Sequence, residues 1–467
     1  MRPGRPTTIV GAGSTRSGAN GFPIGRTGLL LWRSMAVARR LFRVGGFPFS
    51  NECMTRTLRS GSPRFVVCDR HCSRLFHSSS SLLDSSPSKP RISYRIASSF
   101  SAKGHWFDFE KNTHAFDPTV VDAIGISQQA SDPGFPDRAA RRRSRPSSGQ
   151  DAFFVSKVGR SSSAGDGDGG DEVAFAVADG VGGWAEARVD PADFSHGLCT
   201  YMAREALDWD SSTLGRLHAK SLIQRGYEQL QQDRTIVAGG STACVGIARP
   251  DGTVELANLG DSGSVLLRLA AVHHYSTPQT HDFNTPYQLS IIPQWMRMQA
   301  AIFGGEHHED LPDDAAVSSI SMQHGDVLVL ATDGVFDNLN NQELLKIVTG
   351  RMLLTGAWTG TPKGGIGVSA ELEKLTRPGG LGTLALSGTR SPPQPQRNAQ
   401  SSVSRAHQSL QGLLAASIVG EAKMASMDRR RDGPFAKAAQ RYDLGRWYRG
   451  GKVDDICVVV VLAVEES

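Results

Sequence analysis

The sequence predicts an α+β fold, a four-layer α-β-β-α sandwich of two antiparallel sheets with helices on both outer faces. Three observations carry that prediction. The strand candidates are mostly continuous apolar runs, such as "AFAVA" (174–178) and "CVVVVLAV" (457–464), the pattern of strands covered on both faces. Their connections carry hairpin chemistry, as at Pro250-Asp251-Gly252. Helical periodicity arrives in pairs, so helices can layer over packed sheets.

Along the chain, the first segment stands apart. Residues 1–105 hold 15 Arg and 2 Lys against Glu52, Asp69 and Asp84, a balance of +14 within an overall +5, which leaves −9 for the rest. The basic character belongs to a segment and not to the folded part, so a nucleic-acid-binding role loses its support. Residues 1 to about 100 are rich in Arg, Ser and Gly and poor in acids, the composition of a mitochondrial or chloroplast transit peptide, and a mitochondrial transit peptide is expected over 1–83. "LLLWRSMAVARRLFRV" (29–44) suits an amphipathic presequence helix drawn by the membrane potential, with a disordered basic tail as the alternative. "RLFHSSSSLL" (74–83) resembles a two-step mitochondrial processing pattern, so the mature chain is expected to begin near Asp84, in the matrix.

Residues 84–148 read as a partly disordered lead-in, ending in "DRAARRRSRPSSG" (137–149). The main domain is expected over 149–465. Strands at 151–159 and 172–180 are joined by a polar, glycine-rich loop. Helices follow at 194–208 and 212–233, the second opening on a Ser in N-cap position. Residues 241–270 read as three antiparallel strands, turned at 250–252 and at 260–263. "GDVLVLATDG" (325–334) is a further strand leading to a helix in "NNQELLKIVTG". Residues 355–410, with "RPGGLG" and "RSPPQPQRNAQSS", read as a disordered insertion. Helical pattern resumes in "LLAASIVGEAKMAS" and "PFAKAAQRY", before the last strand at 454–464.

The six cysteines are too scattered for a disulfide framework, and a reducing compartment fits them. Cys68 and Cys72, near His71 and His77, lack a second pair at zinc-finger spacing. Cys199, Cys244 and Cys457 read as core fillers. No run approaches the ~18 uncharged apolar residues of a membrane span.

Three strands share one device: an apolar stretch delivers an Asp to its end beside a Gly, giving Asp179, Asp261 and Asp333. Asp454 and Asp455 open the final strand. In antiparallel sheets one strand's start lies beside its neighbour's end, so these sites can converge on one edge. Gathering carboxylates without counter-charge is costly, so the cluster implies cations. All-oxygen ligands select hard ions, Mg²⁺ or Mn²⁺.

In order, "VADGVGGW", "GGSTACV", "ANLGDSGSVLL", "LATDGVFDN" and "GGKVDDICVVVV" resemble the motif series of the metal-dependent protein serine/threonine phosphatases, the protein phosphatase 2C (PPM) family. The resemblance runs from about Gln150 to Val464. "DFSHGLC", "QTHDFNTPYQL" (279–289) and "GPFAKAA" (433–439) are similar to the mitochondrial branch, whose members are linked to regulation of ubiquinone biosynthesis. The resemblance implies that Asp179 bridges two metal ions and that the Gly180 carbonyl binds one of them. Asp333 and Asp454 would complete the other site, and Asp151 would act on the metal-bound water. Asp261 and Asp337, with Asp333, would hold a weaker third ion. Such a pair of ions activates water for in-line attack at phosphorus, without a phosphoenzyme. Arg145 and Arg143 are candidates for gripping the substrate phosphate, against the alternative of a solvated charge run.

Two positions depart from the family pattern. Gln150 stands where many members carry an acid, and Val181 where many carry the His proposed as general acid. His196 is the nearest His in sequence and reads as structural. The expected partners are phosphorylated proteins, with no nucleic acid and no transmembrane segment, and the chain is expected to be a monomer. Two alternatives remain at this stage: an inactive phosphatase-fold binding protein, and a calcium-binding structural module built on "DGDGGD" (166–171).

Overall fold

In the computed structural model, residues 90–126, 138–159, 172–304, 308–382, 408–443 and 448–466 are described. The chain divides into two units, Met1–Asp84 and Ser85–Ser467, and the described residues all fall in the second. The expected leader (1–83) and the "DGDGGD" loop lie outside the described residues.

Two six-stranded sheets form the frame. The first runs, in hydrogen-bonded order, Ala316–Ser321, Thr253–Leu259, Ala243–Ala248, Val173–Asp179, Asp151–Lys157 and Ala123–Ile124. The second runs Ala271–Tyr275, Gly263–Arg268, Val327–Ala331, Ile456–Glu465, Ile92–Ser101 and Thr113–Phe116. Every neighbouring pair is antiparallel.

The apolar runs divide by the two-residue period of a strand. Val173, Phe175 and Val177 turn into the core between the sheets, where they meet Leu328, Leu330, Val459 and Val461. Ala174, Ala176 and Ala178 face the other way, under Phe194, Leu198 and Met202 of the Pro191–Leu207 helix and Leu222 and Leu230 of the Ala219–Gln232 helix. On the second sheet, Val327, Val329, Val458 and Val460 lie beneath the Asn341–Leu354 and Leu410–Met427 helices. Four layers result, as the sequence predicts.

Several expectations change. The predicted 212–233 helix is two pieces, Ser211–Leu214 and Ala219–Gln232, broken at Gly215 with φ +73°. The Pro191–Leu207 helix is capped by Asp190, whose carboxylate accepts the Ala192 N–H at 3.2 Å, with Pro191 in the first turn. The turn at 250–252 joins paired strands, but that at 260–263 does not: its flanking strands belong to different sheets, so Asp261 rides a crossing between them.

The lead-in is not peripheral. Ile92–Ser101 pairs with Ile456–Glu465 along its whole length and lies inside the second sheet. The arginine-rich patch forms a helix, Arg138–Ser144. The expected disordered insertion opens instead with a hairpin, Trp358–Gly360 against Ile366–Val368, and a short helix, Leu372–Thr376. Trp358 and Leu372 are fully buried in the outer core of the second sheet. The remainder, 383–407, lies outside the described residues. Cys199, Cys244 and Cys457 are buried free thiols, as expected. Among the described residues no helix is long and apolar enough to cross a membrane.

Candidate active site

The strand registers decide where the carboxylates fall. Asp151 and Asp179 are direct partners at one end of the first sheet. In the second sheet Ala331 pairs with both Val458 and Gly263, so Asp333, Asp454 and Asp261, just past those residues, leave the sheet at the same edge. Thr332 ties the two edges together. Its Oγ1 donates to Asp151 Oδ2 at 2.7 Å and accepts the Cys457 N–H at 3.0 Å.

Asp179 is held through its backbone. Its N–H donates to Thr242 Oγ1 at 3.0 Å, and its carbonyl accepts the Thr242 N–H at 2.9 Å and the Ser241 hydroxyl at 2.8 Å. The strand end is therefore fixed while the carboxylate projects beyond it. Gly180 is required by packing, because a Cβ there would lie 2.8 Å from the Pro191 carbonyl oxygen. Gly182 and Gly183 open a short 3₁₀ turn, Gly182–Ala187, and neither adopts positive φ, so conformational freedom is not what those glycines supply. Gly334 allows a closer approach still: a Cβ there would collide with the Asp455 carbonyl oxygen.

Of the acidic pair, Asp455 is a clamp. Its carboxylate accepts the backbone N–H groups of Lys103 and of Gln150, the latter at 2.9 Å. Asp454 faces cations, with Lys103 Nζ and Lys452 Nζ each at 3.3 Å. Lys452, which sequence reasoning passed over, stands among the site carboxylates. Its Nζ lies 2.6 Å from Asp333 Oδ2 and 2.6 Å from Asp337 Oδ2.

The electrostatics follow from this crowding. Burial, then the charges of Asp333, Asp151, Asp454 and Asp261, hold the Asp179 carboxyl well above its ordinary range. Burial and Asp455 do the same to Asp151, against the Thr332 hydrogen bond. Burial and Asp333 raise Asp337, and lift Asp261 to about 7. Asp333 goes the other way: burial would raise it, but the Lys452 charge and hydrogen bond prevail. Burial pulls Lys452 down, and the charges of Asp333, Asp337 and Asp454 more than reverse that.

These residues fit divalent cations. One oxygen each of Asp151, Asp261 and Asp333 is buried without a hydrogen-bond partner, an arrangement that is costly unless a cation or proton answers it. The donors are carboxylate oxygens, which suit Mg²⁺ or Mn²⁺. Among the described residues no group of three or more His, Cys, Asp or Glu side chains stands in a position to hold a metal ion as placed, and Lys452 lies among three of the carboxylates.

The other predicted positions are also accounted for. Val181 packs against Trp184, Ala238 and Ile292 and brings no proton. His196 is buried, with Nε2 3.3 Å from the Gly149 carbonyl oxygen, and burial followed by the Arg145 charge pushes it down to about 4; it is structural, as expected. Gln150 contributes backbone, its carbonyl accepting the Gly180 N–H at 3.1 Å. Arg145 reaches Asp190 at 3.1 Å and Asp193 at 3.2 Å, and Arg142 reaches Asp193 at 2.7 Å. These pairs pin the Arg138–Ser144 helix to the start of the Pro191–Leu207 helix. Arg143 is exposed.

A family model described as protein phosphatase 2C matches residues 140–374; Asp454 lies beyond that match. The chain is 40% identical over 211 residues to the protein phosphatase PTC7 homolog fig of Drosophila ananassae, covering 44% of this chain and 57% of that protein. To the homolog of the same name in Drosophila simulans it is 35% identical over 251 residues, covering 52% of this chain and 70% of that protein. The chain thus spans less than two thirds of the first of these relatives. It is also similar to a solved structure, "X-ray structure of the photosystem II phosphatase PBCP", at 24% identity, 67% of this chain and 91% of that chain, with a TM-score of 0.42.

Proposed function

The chain belongs to the protein phosphatase 2C family, and on that premise we propose that it hydrolyses phosphoserine and phosphothreonine on proteins with two divalent ions, Mg²⁺ or Mn²⁺. The observation that carries the reading is the convergence of Asp151, Asp179, Asp261, Asp333 and Asp454 on one edge where the two sheets meet, three of them with a buried oxygen left unanswered. When bound, the ions supply a nucleophilic water at neutral pH and neutralise charge on the phosphoryl group.

The protein's part is positioning. Asp179, on a strand end fixed by Ser241 and Thr242, would bridge the two ions, with the Gly180 carbonyl beside it. Asp333, through its unpartnered Oδ1, and Asp454 would hold the ion on that side. Asp151 is oriented by Thr332 so that its free Oδ1 can accept a proton from the attacking water. Val181 supplies no acid, so the proton for the leaving alkoxide would come from another group or a water. A phosphate contact by Arg145 would draw on donors beyond those engaged by Asp190 and Asp193. Mitochondrial substrates, a matrix location and a part in ubiquinone biosynthesis belong to this proposal through the leader and the branch motifs.

The test is Mn²⁺-dependent hydrolysis of a phosphothreonine peptide by the full chain, with Asp179→Asn as control. Turnover that needs the metal and falls by at least 100-fold in the variant supports the reading. Equal turnover in both proteins, or none with any divalent ion, overturns it.

A further inference from the structure

Two segments with no assigned task, "QTHDF" (279–283) and "GPFAKAA" (433–439), meet beside the carboxylates. The Phe283 and Phe435 rings lie 5.1 Å apart, Tyr442 stacks on Phe283 at 5.2 Å, and Tyr448 meets Phe435 edge-on at 5.0 Å. Tyr442 OH donates to Asp282 Oδ2 at 2.7 Å, joining the two segments again. Over the Phe435 ring, 4.9 Å from its centre, sits the Lys452 ammonium.

The backbone of Lys452 is fixed as firmly. A single buried side chain, Asn338, accepts its N–H at 3.0 Å and donates to its carbonyl at 2.8 Å. The ammonium is thus delivered by a clamped backbone, backed by an aromatic ring, and faced by Asp333, Asp337 and Asp454 at 2.6, 2.6 and 3.3 Å. The side chain is 15% exposed. This is far from a flexible surface lysine that happens to touch acids.

We propose that Lys452 is a resident cation that replaces the third, outer metal ion of the site, so that this chain binds two divalent ions. The inference rests on the metal-dependent reading above. Asp333 divides its oxygens: Oδ2 is bound by Lys452, and Oδ1 is buried and open toward the inner carboxylates. Asp337 commits its Oδ2 to the same ammonium. A cation held by Asp333, Asp337 and Asp261 would have to compete with the ammonium already on two of those carboxylates. The aromatic platform gives the two branch motifs a task, because it closes the side of Lys452 that water would otherwise enter.

Equilibrium dialysis of the full chain against Mn²⁺ up to millimolar concentration, with bound metal counted by atomic absorption, tests this. Wild type is expected to saturate at two ions, Lys452→Met at three, and Lys452→Arg, which keeps the charge, at two. A third ion in wild type, or two in a folded Lys452→Met, overturns the proposal; circular dichroism reports folding. If Lys452→Met does not fold, the wild-type count decides together with Phe435→Leu, which removes the platform and is expected to admit, at millimolar Mn²⁺, a third ion that wild type does not bind; two ions in that variant as well would overturn the platform's part. No ion bound to wild type sinks the metal-dependent reading, and the resident cation with it.

Discussion

Thr332 is the sharpest place to perturb the junction of the two sheets. Replacement by Val keeps the shape and removes one oxygen. Two groups lose a partner: Asp151, whose Oδ1 already has none and whose Oδ2 accepts from Thr332 at 2.7 Å, and the Cys457 N–H, which donates to it at 3.0 Å. Leaving a buried polar group unsatisfied costs about 1–3 kcal/mol, so Thr332→Val should lose roughly 2–4 kcal/mol of metal-free stability, measured by urea titration. Thr332→Ser keeps the hydroxyl and should lose ~1 kcal/mol, the value of a buried methyl. In a double-mutant cycle with Asp151→Asn, the coupling should be about 1–3 kcal/mol. Turnover with saturating Mn²⁺ should fall at least tenfold in Thr332→Val, with metal affinity little changed, because the orientation of Asp151 is lost and the inner carboxylates stay in place. Equal losses in the Val and Ser variants would mean that packing and not hydrogen bonding holds the junction, and would refute the reasoning.

Other consequences can be checked alongside. Because the folded-state pKa of Asp261 is raised to about 7 from an ordinary 3.8, ionising it works against folding; relative to Asp261→Asn, the metal-free protein should lose on the order of 1–3 kcal/mol between pH 4 and pH 7. Melts with EDTA should show that loss, whereas a relative gain over the same window would contradict the sign. Gly334→Ala places a Cβ against the Asp455 carbonyl oxygen, so the 454–455 corner must move, and Mn²⁺ affinity should fall at least tenfold by calorimetry. Trp358→Ala should cost about 3–5 kcal/mol in chemical denaturation, since Trp358 is fully buried and its indole donates to the Gly325 carbonyl at 3.1 Å; a negligible loss would return that hairpin to the status of an insertion.

Asp179, Asp261 and Asp333 are legible in the sequence because each is announced locally, by an apolar strand before it and a Gly beside it. The four layers were legible for a similar reason, since a run such as "AFAVA" is tolerable only with both faces covered. What escaped is non-local. Ile92–Ser101 carries Ser and Arg between its apolar residues and follows a Ser-rich stretch, and only its ten-residue pairing with Ile456–Glu465 makes it an interior strand. The Arg138–Ser144 helix has a charged sequence that solvent would suit; its acids come from Asp190, Asp193 and Asp233, far along the chain. A turn such as Gly260–Gly263 has one chemistry for a hairpin and for a crossing between sheets. Lys452 lies within "GGKVDDICVVVV", but its meaning depends on Asp333 and Asp337, more than a hundred residues earlier.

The pairing of Ile92–Ser101 with Ile456–Glu465 also fixes an order of events. Ser93 and Val464 are 371 positions apart, and closing a contact across that span is slow compared with forming local ones. On the ribosome, strands 92–101 and 327–331 must wait, with apolar edges unpaired, for the strand that belongs between them. That late strand brings Asp454, Asp455 and Lys452 with it. Completion of the second sheet and completion of the ion site are therefore one step.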